Sequence, residues 1–299
     1  MKILITGSTG FVGRHLVPKL IKNDHEILEL TIEPKVSKEL YGNSTLIHEI
    51  TDDQTSLQKA VEKFNPEIVI HLASYLTSND DYATLQRLLS SNMIFSCRVL
   101  DALKHTDLKL FINTGTFAEY FKGDGIFDPA YLYSATKTAS RSFLDYYSKV
   151  YKFKQTTVVP YTIYGGNDTQ KKVIDLIYDS INTEKPIDLS TGEQILDFIH
   201  INDVSDFYIY LIENCNQLPI KSNLQLGTGK GHTIKQLATI IETLSSQKTN
   251  VNWGAKPYRP TDVMYAVAEP DFIIGKSDWK PAIDLEMGVS NFLKSLKKL

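Results

Sequence analysis

Tyr133 and Lys137 frame the segment Tyr-Ser-Ala-Thr-Lys, and Thr116 lies upstream at the end of a predicted strand. On a helix, positions i and i+4 share a face, so the phenol and the ammonium would meet one turn apart. Such a pair makes a proton donor that works near neutral pH. A free tyrosine has a pKa of about 10, and holding one near 7 takes roughly 4 kcal/mol of extra phenolate stabilisation. A lysine cation, and an oxidised nicotinamide if one is bound, could supply it. In a chain with 16 tyrosines the spacing alone proves little, because short motifs recur by chance.

A second motif at the other end of the same predicted sheet gives the pair its weight. Gly7-Ser8-Thr9-Gly10-Phe11-Val12-Gly13 follows the apolar strand Lys2-Ile3-Leu4-Ile5-Thr6 and runs into a helical pattern of Phe11, Leu16, Val17, Leu20 and Ile21. Strand, glycine turn and helix in that order form a dinucleotide cradle, where a pyrophosphate reaches the backbone N–H groups at the helix start. The spacing is Gly-x-x-Gly-x-x-Gly, and the bland alternative is a loop that needs positive φ and holds nothing.

The chain has 299 residues, 42% hydrophobic and 22% charged, enough to bury one large core or two unequal ones. A net charge of −3 argues against a general nucleic-acid or membrane-surface binder. Cys97 and Cys215 lack metal-type spacing and read as reduced residues of a cytosolic chain, so no metal site is expected. A first strand at residue 2 leaves no room for a signal peptide, and no apolar stretch nears membrane-spanning length. A cytoplasmic protein is the expectation.

Residues 1–160 alternate strand and helix. Apolar runs at 3–5, 26–30, 46–47, 68–72, 108–112 and 156–159 are separated by helical patterns at 53–64, 81–105 and 131–152. Short apolar strands between helices predict a doubly wound parallel sheet of Rossmann type, covered on both faces. Asp128-Pro129 suits the start of the Tyr133 helix, with the acid as cap and proline in the first turn. Beyond Gly165 the elements become shorter and mixed. Helices are predicted near 169–182, 203–213, 233–245 and 286–298, with a strand at 195–201. The division expected is a dinucleotide-binding domain over 1–165 and a smaller mixed α/β C-terminal substrate domain over 166–299. An alternative division returns residues 195–213 to the first.

With these motifs together, the chain resembles the extended short-chain dehydrogenase/reductase family of nucleotide-sugar epimerases, dehydratases and ketoreductases. His71-Leu72-Ala73-Ser74 is similar to the family's strand-four motif, Asn92 to its helix asparagine and Tyr164-Gly165 to its post-sheet Tyr-Gly. Asp197-Phe198-Ile199-His200 with Asp203-Val204, Leu226-Gly227-Thr228-Gly229 and Arg259-Pro260-Thr261-Asp262 resemble later motifs. The resemblance implies that Tyr133 exchanges a proton with a sugar oxygen, Lys137 lowers its pKa and binds the nicotinamide ribose, and Thr116 orients the same oxygen. Thr116 could instead be a strand-end hydroxyl capping its turn. Tyr131 has no lysine four residues on and is the poorer phenol.

The resemblance further implies a cofactor held by Gly7, Thr9, Gly10, Phe11, Val12 and Gly13, with Thr31, Glu49 and Ile50 on the adenosine side. Leu72, Ala73, Ser74, Asn92, Thr114 and Pro160 join Tyr133 and Lys137 at the other end. Substrate contacts fall to Thr116, Tyr161, Thr162, Gln194, Arg259 and Asp262. Arg259 would pair with a diphosphate, or else is a solvated loop arginine. A homodimer through the helices at 81–105 and 131–152 is the family default.

Departures narrow the reaction. Dehydratases of the family follow the threonine with Asp-Glu; here Phe117 and Ala118 stand there, and Glu119 points the other way if the strand continues. A 4,6-dehydratase is not expected. The acid that grips the NAD 2′-hydroxyl at the end of the second strand is replaced by Thr31, with Lys35 and Lys38 beyond and Glu33 intruding. The cofactor is therefore NADP(H) or NAD(H), with a lean to NADP(H). Thr162 replaces a common asparagine and Leu196 a common arginine. Asn113-Thr114-Gly115-Thr116-Phe117 resembles the CDP-abequose and CDP-paratose synthase branch. The expected activity is reduction of the 4-keto group of a nucleotide-linked deoxyhexose, with Tyr133 as proton donor. The alternatives are a 4-epimerase with retained NAD and a non-catalytic dinucleotide sensor.

Overall fold

The computed structural model describes residues 1–121, 125–166, 171–269 and 279–296. Its centre is strand β1 (Lys2–Thr6), whose Ile3, Leu4 and Ile5 are fully buried. β2 (Glu26–Thr31) and β4 (Ile68–His71) flank it in parallel, and β3 (Leu46–Glu49) lies parallel outside β2. Beyond β4 come β5 (Leu110–Thr114) and β6 (Lys154–Pro160), again parallel. With β10 (Lys221–Leu226) at the edge, the order is β10-β6-β5-β4-β1-β2-β3. The winding reverses between β1 and β4, the place where open α/β sheets bind ligands at their carboxyl ends.

Helices cover the sheet because their apolar residues repeat on one side. α1 (Phe11–Lys22) buries Leu16, Val17 and Leu20. α2 (Pro34–Tyr41) follows β2, and α3 (Gln54–Phe64), capped by Asp53 on the Ser56 N–H at 3.0 Å, buries Leu57 and Val61. Leu4, Leu28, Val69 and Phe111 of the strands pack with Leu57 and Val61 of α3 and with Val99, Leu100 and Leu144 in one core. The expected helix over 81–105 is interrupted. α4 (Tyr82–Leu88) passes into a π-helical stretch, Leu89–Ile94, before α5 (Phe95–Ala102).

A second correction concerns the start of α6 (Leu132–Tyr151). Asp128 does not cap it: Asp128 bridges to Tyr120, and its carbonyl accepts from the Phe121 N–H at 2.9 Å. The cap is Tyr131, whose N–H donates to Ser134 Oγ at 3.0 Å. Proline therefore stands before the helix rather than in its first turn.

Contacts divide the chain into two compact units, Met1–Glu119 with Pro129–Val159 and Ser205–Leu224, and Tyr120–Asp128 with Pro160–Val204 and Gln225–Leu299. In the second unit, β9 (Ile195–His200) pairs in parallel with β7 (Thr162–Tyr164) and β13 (Tyr265–Ala266), and antiparallel with β11 (Gly231–Thr233). β8 (Ile187–Leu189) and β12 (Val251–Trp253) form a separate parallel pair. α7 (Val173–Ser180), α9 (Ile234–Ser245) and α10 (Leu285–Leu296) bury Ile177, Leu237, Ile241 and Val289 against Tyr164 and Phe198. The sequence pattern near 169–182 begins in residues 167–170, which lie outside the described residues, as do 297–298 of the last predicted helix. α8 (Ile201–Glu213) is shared, its residues from Ser205 onward belonging to the first unit.

The two acids of Asp-Phe-Ile-His-x-x-Asp-Val are structural staples. Asp197 accepts from Thr228 N–H and Oγ1–H and from the Gly229 N–H at 2.6–2.8 Å. Asp203 accepts from the Ala282 and Ile283 N–H groups, each at 3.0 Å. Among the described residues no helix is long and apolar enough to cross a membrane.

Candidate active site

Three glycines of the turn do different work. Gly7 sits at φ +71°, and a Cβ there would come within 2.7 Å of the Ala73 nitrogen. A Cβ on Gly13 would lie 2.3 Å from the Gly7 carbonyl, so this glycine lets α1 pack onto the turn. Gly10 meets only the Gly7 oxygen, at 3.3 Å, and faces a cavity of about 900 Å³. No side chain caps α1 at Gly10, and the positive end of the helix dipole there suits an anion. Thr9, Thr31, Ile50, Leu72, Ala73 and Ser74 line the same cavity. This is a cradle that fits a dinucleotide. Phe11 and Val12 are half-buried in the first turn behind it, the Phe11 ring edge-on to His15.

A buried hydrogen-bond chain ties the cradle to the helices. Thr6 Oγ1 accepts from the Ala73 N–H at 3.1 Å and lies 2.9 Å from His71 Nδ1. His71 Nε2 is 2.8 Å from Ser96 Oγ, which donates to the Asn92 carbonyl at 2.8 Å. These partners assign the neutral Nε2–H tautomer, and burial holds His71 down at about 3. The Asn92 amide accepts from Ser74 Oγ and the Tyr75 N–H and donates to the Tyr75 carbonyl and Thr136 Oγ1. The π turn brings Asn92 inward to do this, in keeping with the association of such turns with function.

Thr116, Tyr133 and Lys137 are all buried, at 9%, 9% and 5% exposure. Thr116 Oγ1 accepts from the Ala118 N–H at 3.3 Å, leaving its hydroxyl proton to donate. The Ser74 side chain lies beside the Tyr133 hydroxyl. The protein's own groups do not bring this phenol toward 7. Burial pushes Tyr133 up to about 12, opposed by Ser74, and pushes Lys137 down to about 8, opposed by the Glu119 carboxylate. At pH 7 the tyrosine therefore carries its proton and the lysine its charge. Glu119 does not continue a strand. β5 ends at Thr114, and Glu119 lies in a 3₁₀ turn (Phe117–Glu119), fully buried and paired with Arg141. Thr114 has its Oγ1 2.6 Å from the Tyr208 hydroxyl.

At the adenosine end, Glu33 lines the cavity and accepts from Thr9 Oγ1 at 2.7 Å. Thr31 Oγ1 accepts from the Glu33 N–H at 2.9 Å. Lys35 is exposed and Lys38 is hydrogen-bonded to Asn43, and neither lines the cavity. Glu49 is exposed at the end of β3, whereas Ile50, Thr51 and Asp52 form the wall. Tyr75 also lines it, as does Arg98, for which no sequence motif speaks. The Arg87 guanidinium over the Tyr75 ring, at 4.3 Å, left no sequence signal.

Pro160 and the expected substrate residues other than Thr116 belong to the second unit. The Tyr161 hydroxyl donates to Gln225 at 2.7 Å, and Thr162 pairs with Phe198 in the sheet. Gln194 has its Oε1 buried without a hydrogen-bond partner. Arg259 and Asp262 close a turn, the Arg259 N–H donating to the Asp262 carboxylate at 2.9 Å.

The chain belongs to the NAD dependent epimerase/dehydratase family, whose model matches residues 3–227. It is 30% identical over 267 residues to CDP-abequose synthase of Yersinia pseudotuberculosis, covering 88% of this chain and 91% of that protein. A probable UDP-glucuronate 4-epimerase of Rhizobium meliloti is 24% identical, covering 98% and 96%. Among solved structures, UDP-glucuronic acid 4-epimerase from Bacillus cereus, in complex with UDP-glucuronic acid and NAD, superposes with a TM-score of 0.87 at 20% identity, covering 100% and 99%.

Proposed function

We propose that this protein reduces the 4-keto group of a nucleotide-linked deoxyhexose. The observation that carries the reading is the burial of a protonated Tyr133 and a cationic Lys137 one turn apart on α6, with the Thr116 hydroxyl free to donate. When bound, the nicotinamide supplies the hydride. Thr116 and Tyr133 donate to the carbonyl oxygen, and both donors strengthen as negative charge develops there. Tyr133 then gives up its proton, and Lys137 stabilises the phenolate. The likeness to CDP-abequose synthase and the Asn-Thr-Gly-Thr-Phe segment support this branch.

A 4-epimerase uses the same residues, but its first step takes a proton onto Tyr133. A tyrosine held near 12 by its surroundings suits donation better. One observation favours the epimerase: Glu33 in the adenosine wall matches a ribose hydroxyl better than a 2′-phosphate, and retained NAD is what an epimerase needs. The lean toward NADP(H) loses its support, because Lys35 and Lys38 stand apart from the cavity. The partner in solution is a second copy of the chain. Phe143, Tyr146 and Val150 are exposed on one face of α6.

The test is turnover of CDP-, dTDP-, GDP- and UDP-linked 4-keto sugars with NADH and with NADPH. Stoichiometric loss of reduced nicotinamide is expected. Copurified NAD⁺ that interconverts C4 epimers with no net oxidation would establish the epimerase instead. No turnover of any sugar nucleotide would leave a dinucleotide sensor.

A further inference from the structure

The fully buried Glu119 carboxylate is occupied by four donors. Oε1 accepts from the Thr116 backbone N–H at 2.8 Å and from Arg141 Nη2 at 3.0 Å. Oε2 accepts from Arg141 Nε at 2.7 Å and Thr138 Oγ1 at 3.3 Å. Arg141 donates its Nη1–H to Asn223 Oδ1 at 2.9 Å. Gly115 makes room, since a Cβ there would lie 2.6 Å from Glu119 Oε1 and 2.7 Å from Arg141 Nη2.

A buried bidentate pair is a poor way merely to hold a fold, because apolar side chains of similar volume often do as well or better. Its placement is informative instead. The one backbone donor it takes is that of Thr116, and Arg141 follows Lys137 by one turn of α6. The planar fork of the guanidinium fixes the carboxylate in two dimensions. Thr116 is thereby registered against the helix that carries Tyr133 and Lys137.

We propose that Glu119, clamped by Arg141, is a positioning residue of the catalytic set: it fixes the Thr116 backbone, and so aims its hydroxyl, and it sets a carboxylate charge against the turn of α6 that carries Lys137, through Thr138 and Arg141. The inference rests on the catalytic reading of Thr116, Tyr133 and Lys137 given above. The charged and titratable groups that act with Lys137 are Glu119, which favours its charge, Arg141, which opposes it, and His71, which is neutral. Tyr133, on the same helix, is neutral as well.

The experiment compares wild type, Glu119→Gln and the double variant Glu119→Gln with Arg141→Gln, which removes both charges and keeps a neutral acceptor. A third variant, Glu119→Leu with Arg141→Met, keeps the volume but removes the acceptor from the Thr116 N–H. Melting curves establish that each is folded. In the Leu/Met variant kcat is expected to fall about 100-fold with KM little changed, the effect of a misplaced group in the transition state. In Glu119→Gln the alkaline limb of the kcat profile is expected to move to lower pH, and the double variant should restore part of that shift. A Leu/Met variant with wild-type kcat and an unmoved limb in Glu119→Gln would overturn the proposal.

An activity-free arm separates this inference from the reaction itself. Lys137→Met is introduced into wild type and into both Gln backgrounds, and melting temperatures are followed from about pH 6 to about pH 10. The pH at which the advantage of the substitution begins to fade reports the Lys137 titration in the fold. It should lie lower without Glu119. An identical pH in every background sinks the inference, whereas failure of wild type to turn over any sugar nucleotide sinks only the proposed reaction.

Discussion

Thr6 on β1 and His71 on β4 are joined by a buried 2.9 Å hydrogen bond, and the Thr6 hydroxyl also accepts from the Ala73 N–H of the cradle. The glycine turn and the strand-four motif are thus held together by a histidine that must stay neutral.

That requirement sets an acid limit. His71 titrates at about 3 in the fold and near 6.5 in an unfolded chain, so between these values the unfolded state binds more protons. Stability is full above about 6.5, falls as pH drops, and has lost on the order of 5 kcal/mol by pH 3. Urea titrations across this window are expected to show the loss. In His71→Asn the slope should flatten, and an unchanged slope would assign the acid sensitivity elsewhere.

Lys137 acts with the same sign, in an alkaline window. Its folded value of about 8 lies below the ordinary lysine value of 10.5, so burying the cation costs stability at neutral pH. The cost is in force below about 8 and fades as pH rises toward 10.5. Lys137→Met is therefore expected to melt higher at pH 7, by up to about 3 kcal/mol, and to have no such advantage near pH 10.5. Catalysis should fall with it. Calorimetry beside steady-state rates checks both halves.

Glu33 should govern the choice of dinucleotide. Replacing its carboxylate, Glu33→Ser, is expected to shift the ratio of NADH to NADPH affinities toward NADPH by at least about tenfold, or about 1.4 kcal/mol. Fluorescence titration with each cofactor measures it. Equal shifts for both would mean that Glu33 serves only Thr9.

Asn92 is the test of the π turn. Asn92→Ala leaves the Tyr75 N–H and carbonyl without their side-chain partner, and a cost of about 2 kcal/mol is expected. The melting temperature should drop, and dinucleotide binding should weaken because Ser74 loses its acceptor. Unchanged cofactor affinity in a folded variant would confine Asn92 to stability.

Much of the sheet was legible because buried parallel strands are continuous apolar runs, as in Ile3-Leu4-Ile5 and Ile68-Val69-Ile70. β10 was not: Lys-Ser-Asn-Leu-Gln-Leu is an edge strand with a polar alternation that resembles a loop. The glycine turn announced itself by order and composition. Asp128-Pro129 misled because good capping residues were drawn instead into the bridge to Tyr120. Local propensity lost there to a non-local pairing. The clamp of Glu119 by Arg141 could not be read at all, since the two are far apart in the chain and neither fits a spacing rule. Gly115 was the one faint signal, a residue with no side chain where the carboxylate and guanidinium needed space.

The outermost strand of the large sheet is also the last of it to be synthesised. Residues 221–226 pair beside β6 only after the chain has traversed much of the second unit. Until they emerge from the ribosome, β6 presents an unpaired row of amides and carbonyls, a template for joining other nascent chains. A fragment cut after the last predicted strand of the first half would carry that open border permanently, and clumping rather than a smaller working domain is the outcome to expect of it.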